Sequence, residues 1–200
     1  FFSSKKKIFF ILMLCFINNL VFASTKIVQQ MKQRDNLIKS SIQNAGDGKY
    51  TKKHRQRVRD ILKNSFHLEE MAKRSLEKHW KNLTDEQKQQ FTDLFSQLIL
   101  YSSTKSLDRY EAKVSYRNAN IKKNGTGHIE ARIIHNGDRI RMSYELQKSK
   151  NKQEWIITDF MIDNVSTVES YQISFDEIIA ESGINDLLEK LQKKVKELKK

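Results

Sequence analysis

The segment Ile129–Gln147, IEARIIHNGDRIRMSYELQ, decides the fold of this chain. From Ile140 to Leu146 every second residue is large and apolar, and the residues between them are polar. This alternation is typical of a strand with one face toward the core. The dipeptide Asn136-Gly137 favours a tight hairpin, because both of its residues can take positive φ. The segment therefore predicts two antiparallel strands joined by a short turn.

Two further strands extend this hairpin. Trp155–Ile162 follows the polar loop Lys148–Gln153, and the residues around Val114 and Tyr116 precede the hairpin. Between Glu111 and Asp163 the apolar residues recur with the period of two that is typical of strands. We therefore expect an antiparallel meander of about four strands.

Apolar residues on both sides of the meander recur at helical spacing instead. Thr84–Gln87 (TDEQ) and Ser166–Glu169 (STVE) have the capping-box pattern that begins a helix. Gly183 is expected to end the helix that begins near Ser166, and Asn185 or Asp186 to start the last helix. Helices before and after a meander predict an α+β fold, in which a curved antiparallel sheet packs against N- and C-terminal helices.

The first 23 residues have the layout of a secretory signal peptide. Lys5–Lys7 precede the apolar run Ile8–Ile17, and the small residue Ala23 follows at a suitable cleavage position. The run is too short for a membrane-spanning helix, which needs about 20 apolar residues. We therefore expect cleavage after Ala23, export, and a single domain over residues 24–200.

Cysteine content bears on disulfides, and net charge bears on the class of partner. The chain has 37 basic and 24 acidic side chains, a net charge of +13, and one cysteine. Residues 24–200 lack that cysteine, so no disulfide is expected within them. The excess of positive charge favours an anionic membrane surface or an acidic protein as partner. Nucleic acid is not expected, because no recognition motif for it is present.

The sequence offers little support for catalysis. The five histidines lack zinc-ligand spacing, no serine lies in a Gly-x-Ser-x-Gly elbow, and Gly125–Gly127 is interpreted as a turn. We therefore predict no catalytic residue, no metal site and no cofactor. One alternative stays open, a small hydrolase or isomerase that uses Asp159 as a base in a cone-shaped pocket.

Two blocks of sequence resemble a known family. The first contains Phe66–Trp80 (FHLEEMAKRSLEKHW), Leu83–Gln87 (LTDEQ) and Phe91–Phe95 (FTDLF), and the second is Trp155–Ser166 (WIITDFMIDNVS). Both are similar to the MlaC, or toluene-tolerance, family of periplasmic phospholipid-binding proteins. Asn164 stands where that family usually has glycine, and asparagine also tolerates left-handed φ.

The resemblance implies a fold close to the nuclear-transport-factor type, with a deep apolar pocket between sheet and helices. It implies a non-enzymatic periplasmic carrier that holds a glycerophospholipid by its acyl chains. Such a carrier shuttles lipid between outer and inner membranes and maintains outer-membrane lipid asymmetry. The implied partners are an outer-membrane lipoprotein–porin complex and an inner-membrane ABC transporter with MCE domains. We expect the headgroup to lie in water at the pocket mouth, so that headgroup selectivity is weak.

Large side chains from both layers are expected to bind the acyl chains. The predicted lipid-binding residues are Phe66, Met71, Trp80, Phe91, Phe95, Leu98, Ile99, Tyr101, Tyr110, Ile133, Met142, Tyr144, Trp155, Ile157, Val165, Val168, Tyr171 and Phe175. Periodicity does not distinguish a filled core from a lipid cavity. An adaptor protein with a filled core is therefore a second alternative.

Overall fold

The computed structural model describes residues 24–43, 50–149 and 154–200. The predicted signal peptide, residues 1–23, lies outside the described residues, and so do the linker Gly46–Gly48 and residues 150–153 of the polar loop.

Within residues 24–43 and 50–111, four helices and two short 3-10 turns precede the sheet. They are α1 (24–42), α2 (Lys52–Ser65), α3 (Leu68–Ser75), a turn at Trp80–Asn82, α4 (Asp85–Ser103) and a turn at Leu107–Glu111. The predicted capping box of α4 is confirmed. Thr84 Oγ1 accepts the Gln87 N–H at 3.1 Å, and Gln87 Oε1 accepts the Thr84 N–H at 3.1 Å. These bonds satisfy two backbone donors that a helix start leaves unpaired.

The sheet is an antiparallel meander in the order β1-β2-β3-β4-β5. Its strands are β1 (Lys113–Ile121), β2 (Gly127–His135), β3 (Asp138–Lys148), β4 (Trp155–Ile162) and β5 (Val165–Ser166). The predicted hairpin is confirmed, since Asn136 and Gly137 take φ values of 50° and 90° between the paired β2 and β3.

The fifth strand is the one difference from the predicted meander of about four. Asp163 and Asn164 have φ values of 49° and 69°, so the chain reverses tightly after β4. Val165 and Ser166 then pair with Ile162 and Met161 before the last helix begins. The left-handed φ of Asn164 agrees with the expectation that asparagine replaces glycine in this turn.

The last helix, α5 (Thr167–Leu198), is kinked. Ser166 Oγ accepts the Glu169 N–H at 3.0 Å and caps the helix start, as predicted. Gly183 has φ 81° and ψ 175°, which no helical residue adopts. Gly183 therefore separates two helical segments, as predicted, and the second segment follows directly without an intervening loop.

The two faces of the sheet differ in character. Cross-strand partners share a face, and on the inner face Met142 pairs with Ile162 and Tyr144 pairs with Phe160. On the outer face Arg132 pairs with Arg141. Among the helices in the described ranges, none is both long and apolar enough to cross a lipid bilayer.

Candidate functional site: an apolar cavity under the sheet

A cavity of about 310 Å³ lies between the inner face of the sheet and the helices α1, α2 and the end of α4. The strands supply most of its apolar wall, through Val114, Ile133, Ile140, Met142, Tyr144, Phe160 and Ile162. The strand register explains this wall, because Val114, Ile133 and Ile140 are successive cross-strand partners. Leu62 and Phe66, at the end of α2, close the opposite side.

A polar cluster forms one part of the wall. Arg34 Nη2 donates to Asp35 Oδ1 at 3.0 Å and to the Tyr116 hydroxyl at 3.2 Å. The Tyr116 hydroxyl donates to Asp35 Oδ2 at 2.5 Å, and the Arg34 guanidinium lies 5.1 Å from the centroid of the Tyr144 ring. A buried cation is tolerated when it is paired in this way.

Arg34 and Tyr116 both stay protonated near neutral pH. Burial raises the pKa of Tyr116 far above its ordinary value, so the hydroxyl stays protonated and donates. Burial lowers the pKa of Arg34, but Tyr144, Tyr116 and Asp35 raise it, and the net pKa lies above the ordinary value. Arg34 therefore stays charged, and its Nη2 forms an ion pair with Asp35 Oδ1 at 3.0 Å.

The cavity opens to solvent beside the turn that precedes β1. Ser102 and Arg109 are exposed there, and Ile162, at the end of β4, is 46% exposed. Lys39 lies at the same opening, and its Nζ donates to the carbonyl of Ala112 at 2.8 Å. We call this opening, lined by Lys39, Ser102, Ser103 and Arg109, the mouth.

The structure brings five of the predicted lipid-binding residues to the cavity. These are Phe66, Tyr110, Ile133, Met142 and Tyr144. Two of them come from the helical side and three from the strands.

Four other predicted residues form a separate aromatic cluster between α4 and α5. Phe91 stacks on Phe95 with ring centroids 5.8 Å apart, and Tyr171 stacks on Phe175 at 5.4 Å. The two pairs meet edge to face, with Phe95 and Tyr171 at 5.5 Å. Phe91 and Phe95 are fully buried, so the aromatic cluster is packed against itself and lies outside the cavity.

The remaining predicted residues also lie outside the cavity wall. Six are buried in the core: Met71, Leu98, Ile99, Trp155, Ile157 and Val168. Trp80 packs against that core from its edge. Tyr101 lies under two cations, 4.4 Å from Arg59 and 5.5 Å from Lys199, and Val165 is 61% exposed.

Sequence reasoning missed the polar part of the wall, although a signal for it is present. In α1 the apolar stripe runs through Ile27, Met31 and Ile38, which are all buried. Arg34 occupies the position of this stripe between Met31 and Ile38. A charged residue on a buried stripe requires a partner or a ligand, and this pattern predicts a polar group inside the protein.

Asp159 is not part of the cavity wall. Its Oδ1 accepts the N–H groups of Phe160 and Val168 at 2.8 and 3.2 Å, and its Oδ2 accepts the Ser166 hydroxyl at 2.6 Å. Both oxygens are thus bonded at the start of α5, where a carboxylate is favoured by the helix dipole. This geometry is that of a structural anchor for α5.

A larger groove of about 640 Å³ borders Asp159. Charged residues of α3 and α5 line it, among them Glu70, Arg74 and Glu169. A polar wall does not compensate for removing hydrocarbon from a membrane, so the smaller apolar cavity is the candidate lipid site. Within the described residues no cluster of three or more histidines, cysteines or acids is placed to hold a metal ion.

Comparisons with known proteins give the fold and the family of this chain. A structure of the phospholipid-binding protein from Ralstonia solanacearum, in complex with a phospholipid, matches with a TM-score of 0.71. The match covers 88% of this chain and 99% of that chain at 19% identity, so it establishes a shared fold. None of the curated proteins compared with the chain matches it. The family model described as MlaC protein matches residues 29–193. This match covers most of the sequence, and the chain therefore belongs to the MlaC protein family.

Proposed function

We propose that this protein is a non-enzymatic carrier that binds a glycerophospholipid by its acyl chains in the periplasm. It is exported by the signal peptide 1–23, and residues 24–200 work as a single lipid-binding domain. It shuttles lipid between the outer and inner membranes and so maintains outer-membrane lipid asymmetry. Its membership of the MlaC family and the likeness to a protein solved with phospholipid support this proposal.

The apolar cavity of about 310 Å³ is the observation that carries the proposal. Each methylene removed from water contributes about 0.8 kcal/mol. Two chains of about 15 methylenes therefore represent about 24 kcal/mol of transfer free energy. A membrane offers the chains nearly the same free energy, so a carrier needs an apolar interior that matches it.

The volume of the cavity sets a condition on loading. An engineered cavity of about 150 Å³ holds one benzene ring, so about 310 Å³ holds on the order of a dozen carbon atoms. Two acyl chains need more space than this. Because hydrogen-bonded ladders join the strands, we propose that the helices move outward and enlarge the cavity during loading.

The proposed partners are an outer-membrane lipoprotein–porin complex and an inner-membrane ABC transporter with MCE domains. Family membership supports both. Residues 24–200 have 34 basic and 24 acidic side chains, and this net charge of +10 favours acidic docking surfaces on these partners and transient contact with anionic membranes. No cofactor or metal takes part in this mechanism.

Native mass spectrometry of the purified protein tests lipid binding. We expect the wild type to retain a phospholipid adduct. Ile133→Trp, which fills the cavity, should abolish the adduct. Ile173→Trp makes the same change at a side chain that is 56% exposed on α5 and should keep it.

A wild-type protein without lipid, or equal retention by both variants, would refute the proposed site. Fractionation of cells, with sequencing of the mature N-terminus, tests the proposed location and the start at Ser24.

A further inference from the structure

The mouth of the cavity carries more positive than negative charge. Among the described residues that line the cavity, Arg34, Lys39 and Arg109 are cationic, and Asp35 is the single carboxylate. Asp35 accepts hydrogen bonds from Arg34 and Tyr116, and its carboxylate therefore balances the positive charge of Arg34. The two remaining cations lie at the mouth.

Ala112 fixes the Lys39 ammonium and the backbone of Arg109, while the Arg109 side chain stays exposed. Lys39 Nζ donates to the Ala112 carbonyl at 2.8 Å, and the Ala112 N–H donates to the Arg109 carbonyl at 3.3 Å. The Lys39 ammonium keeps two further N–H donors. Within the described part of the chain, the Arg109 guanidinium makes no hydrogen bond or ion pair. The hydroxyls of Ser102 and Ser103 border the same space.

Two nearby acids, Asp108 and Glu111, do not line the cavity. Asp108 lies 3.3 Å from His135 Nε2. Glu111 accepts the Tyr50 hydroxyl at 2.8 Å. Both carboxylates thus have partners other than Lys39 and Arg109. A site with two cations, two hydroxyls and an apolar cavity behind it suits an amphiphile with an anionic head.

We propose that Lys39 and Arg109 bind the phosphate of the lipid headgroup, and that the protein therefore prefers lipids with a net negative headgroup. The inference rests on the proposed function and names the class of cargo. A zwitterionic headgroup brings an ammonium close to two cations, whereas phosphatidylglycerol does not. Like charges at short distance oppose binding. The two cations therefore discriminate between lipids by the net charge of the headgroup, while the other headgroup features remain in water.

A competition experiment tests this preference. Lipid-free protein is offered equal amounts of phosphatidylglycerol and phosphatidylcholine with the same acyl chains, and native mass spectrometry measures the ratio of the two complexes. For the wild type we expect a preference of about fivefold for phosphatidylglycerol, as is typical of a partly exposed charge pair. Arg109→Gln should reduce it, and Lys39→Gln with Arg109→Gln should bring the ratio near one.

A matched control removes the same charge elsewhere. Lys193→Gln with Lys196→Gln changes two exposed lysines of α5 and should keep the wild-type ratio. Arg109→Gln alone guards against misfolding, because that side chain is exposed and makes no hydrogen bond or ion pair with the described residues. Higher salt should lower the preference, since it screens charges at the mouth.

Three results would overturn the inference. A wild type that takes both lipids equally, or a double variant that keeps the preference, would contradict a role for these cations. Saturable binding of inorganic phosphate to the lipid-free protein, abolished by Arg109→Gln, would reassign the mouth to a free anion. Binding of neither lipid would instead refute the proposed function itself.

Discussion

The aromatic cluster and the cavity are built from similar side chains, but the cluster is filled and the cavity is hollow. In the aromatic cluster, Phe91, Phe95, Tyr171 and Phe175 fill the contact between α4 and α5, with neighbouring ring centroids 5.4 to 5.8 Å apart. In the cavity, Met142, Tyr144 and Phe160 face a space of about 310 Å³. Two helices can approach until their side chains interdigitate. A curved sheet with helices laid across it leaves a hollow unless larger residues fill it.

The strongest test of this contrast is Phe95→Ala in the aromatic cluster. Phe95 is fully buried and contacts three other rings. Its removal leaves an enclosed void, so we expect a loss of about 3–5 kcal/mol in the free energy of unfolding, measured by urea denaturation. A loss below about 1 kcal/mol would show that this region is loosely packed.

A matched pair of substitutions compares the two regions directly. Met71 is fully buried in the core, whereas Met142 lines the cavity and is partly exposed. We expect Met71→Ala to cost about 2–5 kcal/mol and Met142→Ala about 1 kcal/mol, because only the first creates a new void. Urea denaturation of both variants measures the difference, and equal losses would mean that the cavity is filled in solution.

Asp159→Asn separates a structural role from a catalytic one. The carboxylate accepts three hydrogen bonds at the start of α5, and an amide replaces one acceptor by a donor. We expect unfolding to become easier by about 1.5–3 kcal/mol with lipid retention unchanged. Unchanged stability together with loss of a hydrolase or isomerase activity toward a small molecule would favour the enzyme alternative.

The smallest expected effect is a pH dependence of stability at Asp176, the residue after Phe175 of the aromatic cluster. A hydrogen bond from Lys78 holds the pKa of Asp176 below its ordinary value, and His79 adds to this. A lowered pKa stabilises the fold above the ordinary pKa, and this contribution disappears as the pH falls through the folded-state value.

The variant Asp176→Asn measures this contribution. Wild type should exceed it in stability by up to about 0.5 kcal/mol at pH 7, as for other partly exposed ion pairs. The gap should close in strong acid, where Asp176 is protonated. A gap that persists there in thermal melts would assign the difference to packing instead.

The sequence predicts local structure well where a residue type favours one particular backbone conformation. Asn136-Gly137 forms the expected turn, and Thr84 with Gln87 forms the expected cap. It does not predict which buried faces meet, because periodicity reports only that a side chain points inward. Phe95 recurs at helical spacing and Tyr144 with a period of two, and each pattern marks an inward-facing side chain. Only the structure shows that Phe95 lies in the filled cluster and Tyr144 lines the cavity. Arg34 was accessible to sequence reasoning as a charge on a buried stripe, yet its partner Tyr116 depends on tertiary structure.

At Gly183 the backbone has φ 81° and ψ 175°, and a Cβ built there would have no neighbour within 4 Å. These angles are the mirror image of an extended conformation that ordinary L-residues adopt freely. A chemically synthesised protein with D-alanine at this position should thus keep the bend of α5, whereas L-alanine would strain it. The handedness of a single stereocentre would then decide the direction of the C-terminal helix.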